Sequence, residues 1–406
     1  MIKNDMLKLY FAQMVSALEK KLKKKLTARR KFIYEIGRVG SRIFDENWSI
    51  GWTTVFVPYE ILSSMNISGM FVEFFGAMVS SAGISEKYFE VAESKGFSTD
   101  GCSYHRAMIG SAIDGLIPKP DVLIGASIPC NGGVKALKRI GEIFKKEVFI
   151  LNIPIEVTSN SVDYLVEQYE QLIEYIERET GRKLDDQKLK QAIRYNNQAR
   201  EYIIEIENLC KNVPSPINFN DLKNFIIFIL LQGTKEGVEV AKTYRDEFKY
   251  RIDNGLFTLP KEKHRLLWIQ NRIQFKTDIL NLLEKQYGAN LVIDELNHIW
   301  WDPMDEDDPL RSLAQRMITH PLVGPVERRI KVLTQLAKEY KIDGAINPAH
   351  LGCRQTSGAR ALFKDAFQKI GVPLIDLDID CVDERNYSSG QVKTRLEAFM
   401  EILDRN

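Results

Sequence analysis

The sequence predicts an α/β protein: two parallel-sheet units, with a helical N-terminal arm before the first and a helical insertion between them. Three observations predict it. Short, continuous apolar runs of the kind buried inside parallel sheets recur in both halves of the chain. Each run is followed by a turn-rich loop and then by a stretch at helical spacing; strand–loop–helix–strand in that order implies right-handed crossovers. Between the halves, the apolar residues take up a helical period in a highly charged background. The expected boundaries are an arm over 1–45, a first α/β unit over 46–158, a helical bridge over 159–258 and a second α/β unit over 259–406.

The arm is basic, and residues 20–31 are mostly Lys and Arg, with Leu22 and Leu26 spaced for one helical face. A solvated helix and a docking arm both fit this pattern. In the first unit, 51–57 reads as a strand, and Pro58 opens a helix through Ser64. Residues 69–74 form a second short apolar run, and 103–115 looks helical. The 121–126 run is a buried strand, 127–133 a loop, 134–146 a helix and 148–153 another strand. In the bridge, Val162, Leu165, Tyr169, Leu172 and Ile176 recur at helical spacing, and a second long helical stretch begins near Asp185. The second unit repeats the layout. Strands are expected at 265–269, 289–293, 344–347 and 374–377. Helices are expected at 277–287, 310–318, 326–340, 356–370 and 391–403, with an acidic loop at 300–309.

Composition removes several function classes. The chain has 406 residues, 44% hydrophobic and 27% charged, and a formal net charge of +1. That balance gives no global attraction to nucleic acid or to a membrane surface. Lys8 and Gln13 interrupt the apolar residues of the N-terminus, which lacks the order of a signal peptide. The longest apolar run, 225–231, is far short of the roughly 20 residues that span a bilayer. A cytoplasmic protein is expected. Five cysteines, an odd count in a chain this long, argue against a disulfide scaffold. No Walker A motif and no G-x-G-x-x-G is present, so any ATP is used elsewhere.

With no C-x-x-C pair, a metal site would have to gather its cysteines from distant loops. Three cysteines stand where ligands gather in parallel sheets, beyond the carboxyl ends of strands. Cys130 follows the 121–126 strand, and Cys353 lies in the loop after 344–347. Cys102 opens a helix, where free backbone N–H groups favour thiolate. Gly101, Gly132, Gly133 and Gly352 flank them and let backbone approach a bulky group. On these grounds alone, incidental loop thiols are the plainer reading and a shared metal site the rival; zinc is the weaker form of the latter, because no fourth cysteine is well placed. His105 and His350 are candidate fourth ligands or polar structural groups. Cys210 reads as a core residue on the bridge, and Cys381 as a packing thiol or a group behind the ligands.

At these residues the sequence resembles the 2-hydroxyacyl-CoA dehydratase and benzoyl-CoA reductase family. The matching stretches are Gly51-Trp52 through Val57-Pro58-Tyr59-Glu60-Ile61-Leu62; Gly96-Phe97-Ser98-Thr99-Asp100-Gly101-Cys102-Ser103-Tyr104; and Pro120-Asp121-Val122-Leu123 with Cys130-Asn131. The last runs from Asn347-Pro348-Ala349-His350-Leu351-Gly352-Cys353-Arg354-Gln355 to Gln391-Val392-Lys393-Thr394-Arg395-Leu396-Glu397-Ala398-Phe399. The resemblance implies two flavodoxin-like domains with a [4Fe-4S] cluster between them, held by Cys102, Cys130 and Cys353. Three ligands for four irons leave one iron with an open position. It also implies an acyl-CoA substrate, a heterodimer with a related second subunit, and charging by a separate ATP-dependent iron–sulfur activator. In such enzymes one electron on the thioester carbonyl gives a ketyl radical, which expels the neighbouring hydroxyl and acidifies the β-hydrogen; in the reductases a similar electron enters the ring.

On the substrate side, position singles out Glu60, Thr54 and Ser127. Glu60 is read as a proton acceptor or hydrogen-bond partner, against plain stabilisation of a helix start. His350 is read as a donor to the substrate, and Arg354 and Gln355 as groups that orient the cluster or pair with CoA phosphate. One stretch departs from the family: Trp268-Ile269-Gln270-Asn271-Arg272 stands where several dehydratase subunits have Trp-Asp-Gly-Ile. That keeps open a benzoyl-CoA reductase-type subunit, a non-catalytic electron-relay partner and, with too few thiols to favour it, a double-cubane reductase. An iron-free α/β binding protein is the plainest alternative.

Overall fold

The computed structural model describes residues 2–218, 221 and 226–405. The arm is a pair of helices, α1 (Ile2–Lys24) and α2 (Ala28–Arg42). They pack through Phe11, which lies directly on Gly40, where any side chain would collide with its ring. The Thr27 hydroxyl caps α2 by accepting from the Arg30 amide. The basic end of α1 is solvated; Leu26 is 62% exposed.

The first unit holds β1 (Ser49–Thr53), β2 (Ile67–Phe71), β3 (Val122–Ala126) and β4 (Val148–Leu151). All neighbouring strands run parallel, in the order β2-β1-β3-β4. Its helices are α3 (Tyr59–Ser64), α4 (Val72–Ser81), α5 (Ser85–Glu93), α6 (Ser103–Ile113) and α7 (Asn131–Phe144). The apolar run at 69–74 is shared between β2, which ends at Phe71, and α4, which begins at Val72 and turns Phe75 inward to meet Trp52 edge-on at 5.6 Å. The bridge consists of α8 (Ser159–Thr180), α9 (Asp186–Cys210) and α10 (Lys235–Asp253). Tyr244 of α10 meets Phe32 of α2, so the arm seats on the bridge. Of the apolar run at 225–231, Phe225 lies outside the described residues, and Ile226–Leu231 forms a short 3-10 turn.

The second unit repeats the first. Strands β5 (His264–Trp268), β6 (Ala289–Asp294), β7 (Gly344–His350) and β8 (Leu374–Ile379) run parallel in the order β6-β5-β7-β8. Its helices are α11 (Pro309–Ile318), α12 (Val326–Glu339), α13 (Arg354–Ser357), α14 (Arg360–Lys369) and α15 (Ser389–Arg405). Two expected helices differ. The one at 277–287 begins two residues late and is helical over 279–287, with a π-type stretch at Asn281–Gln286. The one at 356–370 breaks at Gly358 and Ala359, where glycine costs a helix about 1 kcal/mol. Strand β7 runs three residues past Asn347, which carries His350 to the end of the sheet.

In both sheets the chain reverses its direction of growth between the first and third strands, the switch point beside which such sheets bind ligands. The two units are stitched along one seam. Ser80 Oγ donates to the Val382 carbonyl at 2.7 Å, Ser103 Oγ to Asp380, and Arg106 to Asp383 at 2.9 Å. Arg385 reaches back to Glu93 at 2.6 Å. Among the described residues, no helix is long and apolar enough to cross a membrane.

Candidate metal centre

Each of the three singled-out cysteines occupies the residue before a helix: Cys102 before α6, Cys130 before α7, Cys353 before the short α13. Cys130 and Cys353 hold like places, since each follows the third strand of its own sheet at the switch point. The loops that carry them interlock. Gly352 has φ +76° and lies against the backbone of Cys102; a Cβ there would stand 2.6 Å from the Cys102 nitrogen. Only glycine accepts both that φ and that approach. Gln355 Nε2 donates to the Pro129 carbonyl at 2.8 Å, tying the Cys353 loop to the Cys130 loop. His105 fills the space between Cys130 and Cys102. A Cβ on Gly132 would touch the Cys130 sulfur and the His105 ring, each at 3.3 Å.

All three thiols are partly exposed, whereas Cys210 and Cys381 are buried. Burial alone would raise the Cys102 thiol, but the imidazoles of His105 and His350 outweigh it and bring the pKa down to about 5. Burial pushes Cys130 up, against the pull of His105 and the Gly133 amide. Burial lifts Cys210 well above the ordinary thiol range, which marks it as an inert core group. His350 Nε2 stands 3.5 Å from the Cys102 sulfur. His105 turns its Nε2 to Glu73 at 3.2 Å. Among the described residues, no three His, Cys, Asp or Glu side chains converge as ligands of a single ion.

The substrate-side candidates are placed as follows. Thr54 Oγ1 accepts from the Ala126 amide at 2.8 Å, and Ser127 Oγ from the Ile153 amide at 2.9 Å. Each hydroxyl keeps one hydrogen to donate. The Thr54 methyl lies 3.3 Å from where a Gly133 Cβ would be, within the turn that follows Cys130. Glu60 is fully buried at the start of α3. Its Oε1 receives Arg316 Nη1 of α11 at 2.7 Å and Asn196 Nδ2 of α9. Its Oε2 has no partner among the described residues. Two more unpartnered buried groups belong to this neighbourhood: the indole N–H of Trp301, whose ring faces Arg316 at 5.8 Å, and the hydroxyl of Tyr169. Arg354 is exposed. Gln355 is occupied by Pro129 and, at its carbonyl, by Arg329. His350 is 1% exposed and has both ring nitrogens engaged within the chain, so it does not present a free donor to a substrate.

Sequence reasoning missed Arg316, Asn196, Tyr169 and Trp301 around Glu60, and Glu73 behind His105. No local signal marks them, because each meets its partner only after the chain has folded. It also missed the Arg272–Asp294 ion pair, 2.8 Å apart and buried. Arg272 closes the atypical stretch after β5, and its carbonyl accepts the Tyr104 hydroxyl.

Two like parallel sheets, with the Cys130 and Cys353 loops in contact beyond their switch points, define a two-unit α/β protein that gathers three thiol-bearing loops where the units meet. The chain belongs to the 2-hydroxyglutaryl-CoA dehydratase D-component family, which it matches over residues 54–403. It is similar to the alpha subunit of (R)-phenyllactyl-CoA dehydratase from Clostridium sporogenes, 26% identical over 87% of this chain and 89% of that one. It is similar also to the beta subunit from the same organism, 24% identical over 74% of this chain and 80% of that one. A benzoyl-CoA reductase subunit from Thauera aromatica is 27% identical over 77% of this chain and 79% of that one.

Proposed function

We propose that this chain is the [4Fe-4S]-binding subunit of a cytoplasmic, ATP-activated radical 2-hydroxyacyl-CoA dehydratase. The observation that carries the reading is the interlocking of three loops from two sheets. Gly352 against Cys102 and Gln355 against Pro129 support bringing Cys102, Cys130 and Cys353, each at a helix start, into one neighbourhood. The donor set fits the group: all three are partly exposed thiols, and the glycines beside them let backbone come close. When bound, the cluster supplies a single, strongly reducing electron for the thioester carbonyl.

The chain's own residues hold and dress the substrate. Thr54 and Ser127 each offer one hydroxyl hydrogen, with their oxygens anchored on backbone amides. Glu60 has one oxygen clamped by Arg316 and Asn196 and the other free to accept a hydrogen bond or the β-proton. The unpartnered Trp301 indole and Tyr169 hydroxyl supply matching donors beside it. Arg354, exposed next to Cys353, is placed to pair with a CoA phosphate. The partners are a related second subunit, as the similarity to both alpha and beta subunits of one enzyme supports, and an ATP-hydrolysing iron–sulfur activator. A second reading, a benzoyl-CoA reductase-type subunit, is favoured by the atypical stretch ending in buried Arg272 and by the likeness to the Thauera aromatica reductase chain.

Anaerobic co-purification with partners tests the proposal. The expected result is brown protein with about four irons per chain. Activator and ATP should then give turnover on a panel of 2-hydroxyacyl-CoA thioesters. Iron-free protein under these conditions refutes the cluster. Iron-loaded protein that reduces aryl thioesters instead of dehydrating 2-hydroxyacyl ones selects the second reading.

A further inference from the structure

Cys102 differs from the other two thiols in having an imidazole aimed at its sulfur and locked there. His350 Nε2 lies 3.5 Å from Sγ, within reach of an N–H···S hydrogen bond. The other ring nitrogen fixes the tautomer: the Cys381 amide donates to Nδ1 at 3.0 Å. An accepting Nδ1 carries no hydrogen, so the ring hydrogen sits on Nε2, facing the sulfur. Asp380 does not compete for it. Its Oδ1 is 3.6 Å from Nδ1 and already accepts the Val382 and Asp383 amides and the Ser103 hydroxyl. The ring cannot swing away, because Tyr104 packs edge-on against it at 5.3 Å, and Tyr104 is itself held by the Arg272 carbonyl.

Resting on the cluster reading above, we propose that His350 donates its Nε2 hydrogen to the Cys102 sulfur of the bound cluster and thereby makes the cluster easier to reduce. A hydrogen bond to a ligating thiolate draws off negative charge, which favours the state carrying the extra electron. His350 is a positioning residue in this role. It sets how reducing the transferred electron is and never meets the substrate.

The test uses the full chain, reconstituted anaerobically with iron and sulfide, in wild-type, His350→Leu and His350→Gln forms. Glutamine can reproduce both contacts, its Oε1 accepting from Cys381 and its Nε2 donating to the sulfur. The readouts are iron per chain, the midpoint potential from a dye-mediated titration, and the shift of the Fe–S stretching bands on transfer to D2O. The expected outcome is a more negative midpoint and a smaller deuterium shift in His350→Leu, with both restored in His350→Gln. A His350→Leu chain that keeps its iron and the wild-type midpoint overturns the proposal and leaves the cluster reading intact. If His350→Leu holds no iron, His350→Gln decides: a wild-type midpoint with deuterium-sensitive bands supports the proposal, and bands blind to D2O in the wild type overturn it. Wild-type protein that takes up no iron removes the cluster reading itself.

Discussion

Replacing Gly352 by alanine attacks the joint on which the site depends, and the structure provides its own control. The backbone of Gly352 is left-handed, φ +76°, and so is that of Gly371, φ +72°. Forcing alanine into that region costs about 1–2 kcal/mol at either position. Beyond that the two sites part. A Cβ at Gly371 meets nothing within 4 Å, whereas one at Gly352 lands 2.6 Å from the Cys102 nitrogen, some 0.8 Å short of an ordinary 3.4 Å contact. Backbone is what it strikes, so the Cys102 loop must move away from the Cys353 loop. We expect Gly371→Ala to lose about 1–2 kcal/mol and keep its iron. Gly352→Ala should lose roughly 3–5 kcal/mol and most of its iron. Urea denaturation of both variants under anaerobic conditions, with iron determined on the same samples, makes the comparison. Equal destabilisation with equal iron would show that the contact between the loops does not hold the cysteines in place.

Three further predictions concern other parts of the molecule. Cys130→Ala and Cys353→Ala should each lower iron content, while Cys210→Ala, in the core of the bridge, should leave it unchanged; equal loss from Cys210→Ala would undo the ligand assignment. Arg316→Met strands the Glu60 carboxylate, fully buried, without its cation, and should cost about 3–5 kcal/mol; Glu60→Gln added to it should recover part of that loss, and strict additivity of the two in denaturation would contradict the pairing. Burial raises the Asp294 carboxyl to about 6 from 3.8, against the pull of Arg272. A carboxyl raised on folding binds its proton more tightly in the native state, so its stabilising effect is complete below pH 4 and is lost as pH climbs past 6. Wild-type stability should therefore fall relative to Asp294→Asn by up to about 3 kcal/mol across that window, and parallel stability–pH curves for the two proteins would refute it.

The sheet architecture was legible because burial in a parallel sheet leaves a local mark. Val122–Ala126 is buried at every position and reads as an unbroken apolar run. Cys130 and Cys353 could be placed beyond strand ends for the same reason. What the sequence concealed is pairwise. Glu60 meets Arg316 across 256 positions, and Cys102 meets His350 across 248. Neither pair leaves any periodicity or composition to read. His350 shows the cost: three residues before Cys353, it looks like a free acid–base group, yet the extension of β7 and the turn at Cys381 enclose it completely.

The seam formed by Ser80, Ser103 and Arg106 with the segment from Asp380 to Asp383, and by Glu93 with Arg385, constrains how the molecule can breathe. Several of these links are buried and charge-assisted, so parting the lobes there would expose carboxylates and guanidinium together at a steep free-energy cost. That border therefore resists separation of the two units. Because Ser103 follows Cys102 and Cys381 holds His350, stiffness at that border is passed directly to the neighbourhood of the Cys102 sulfur.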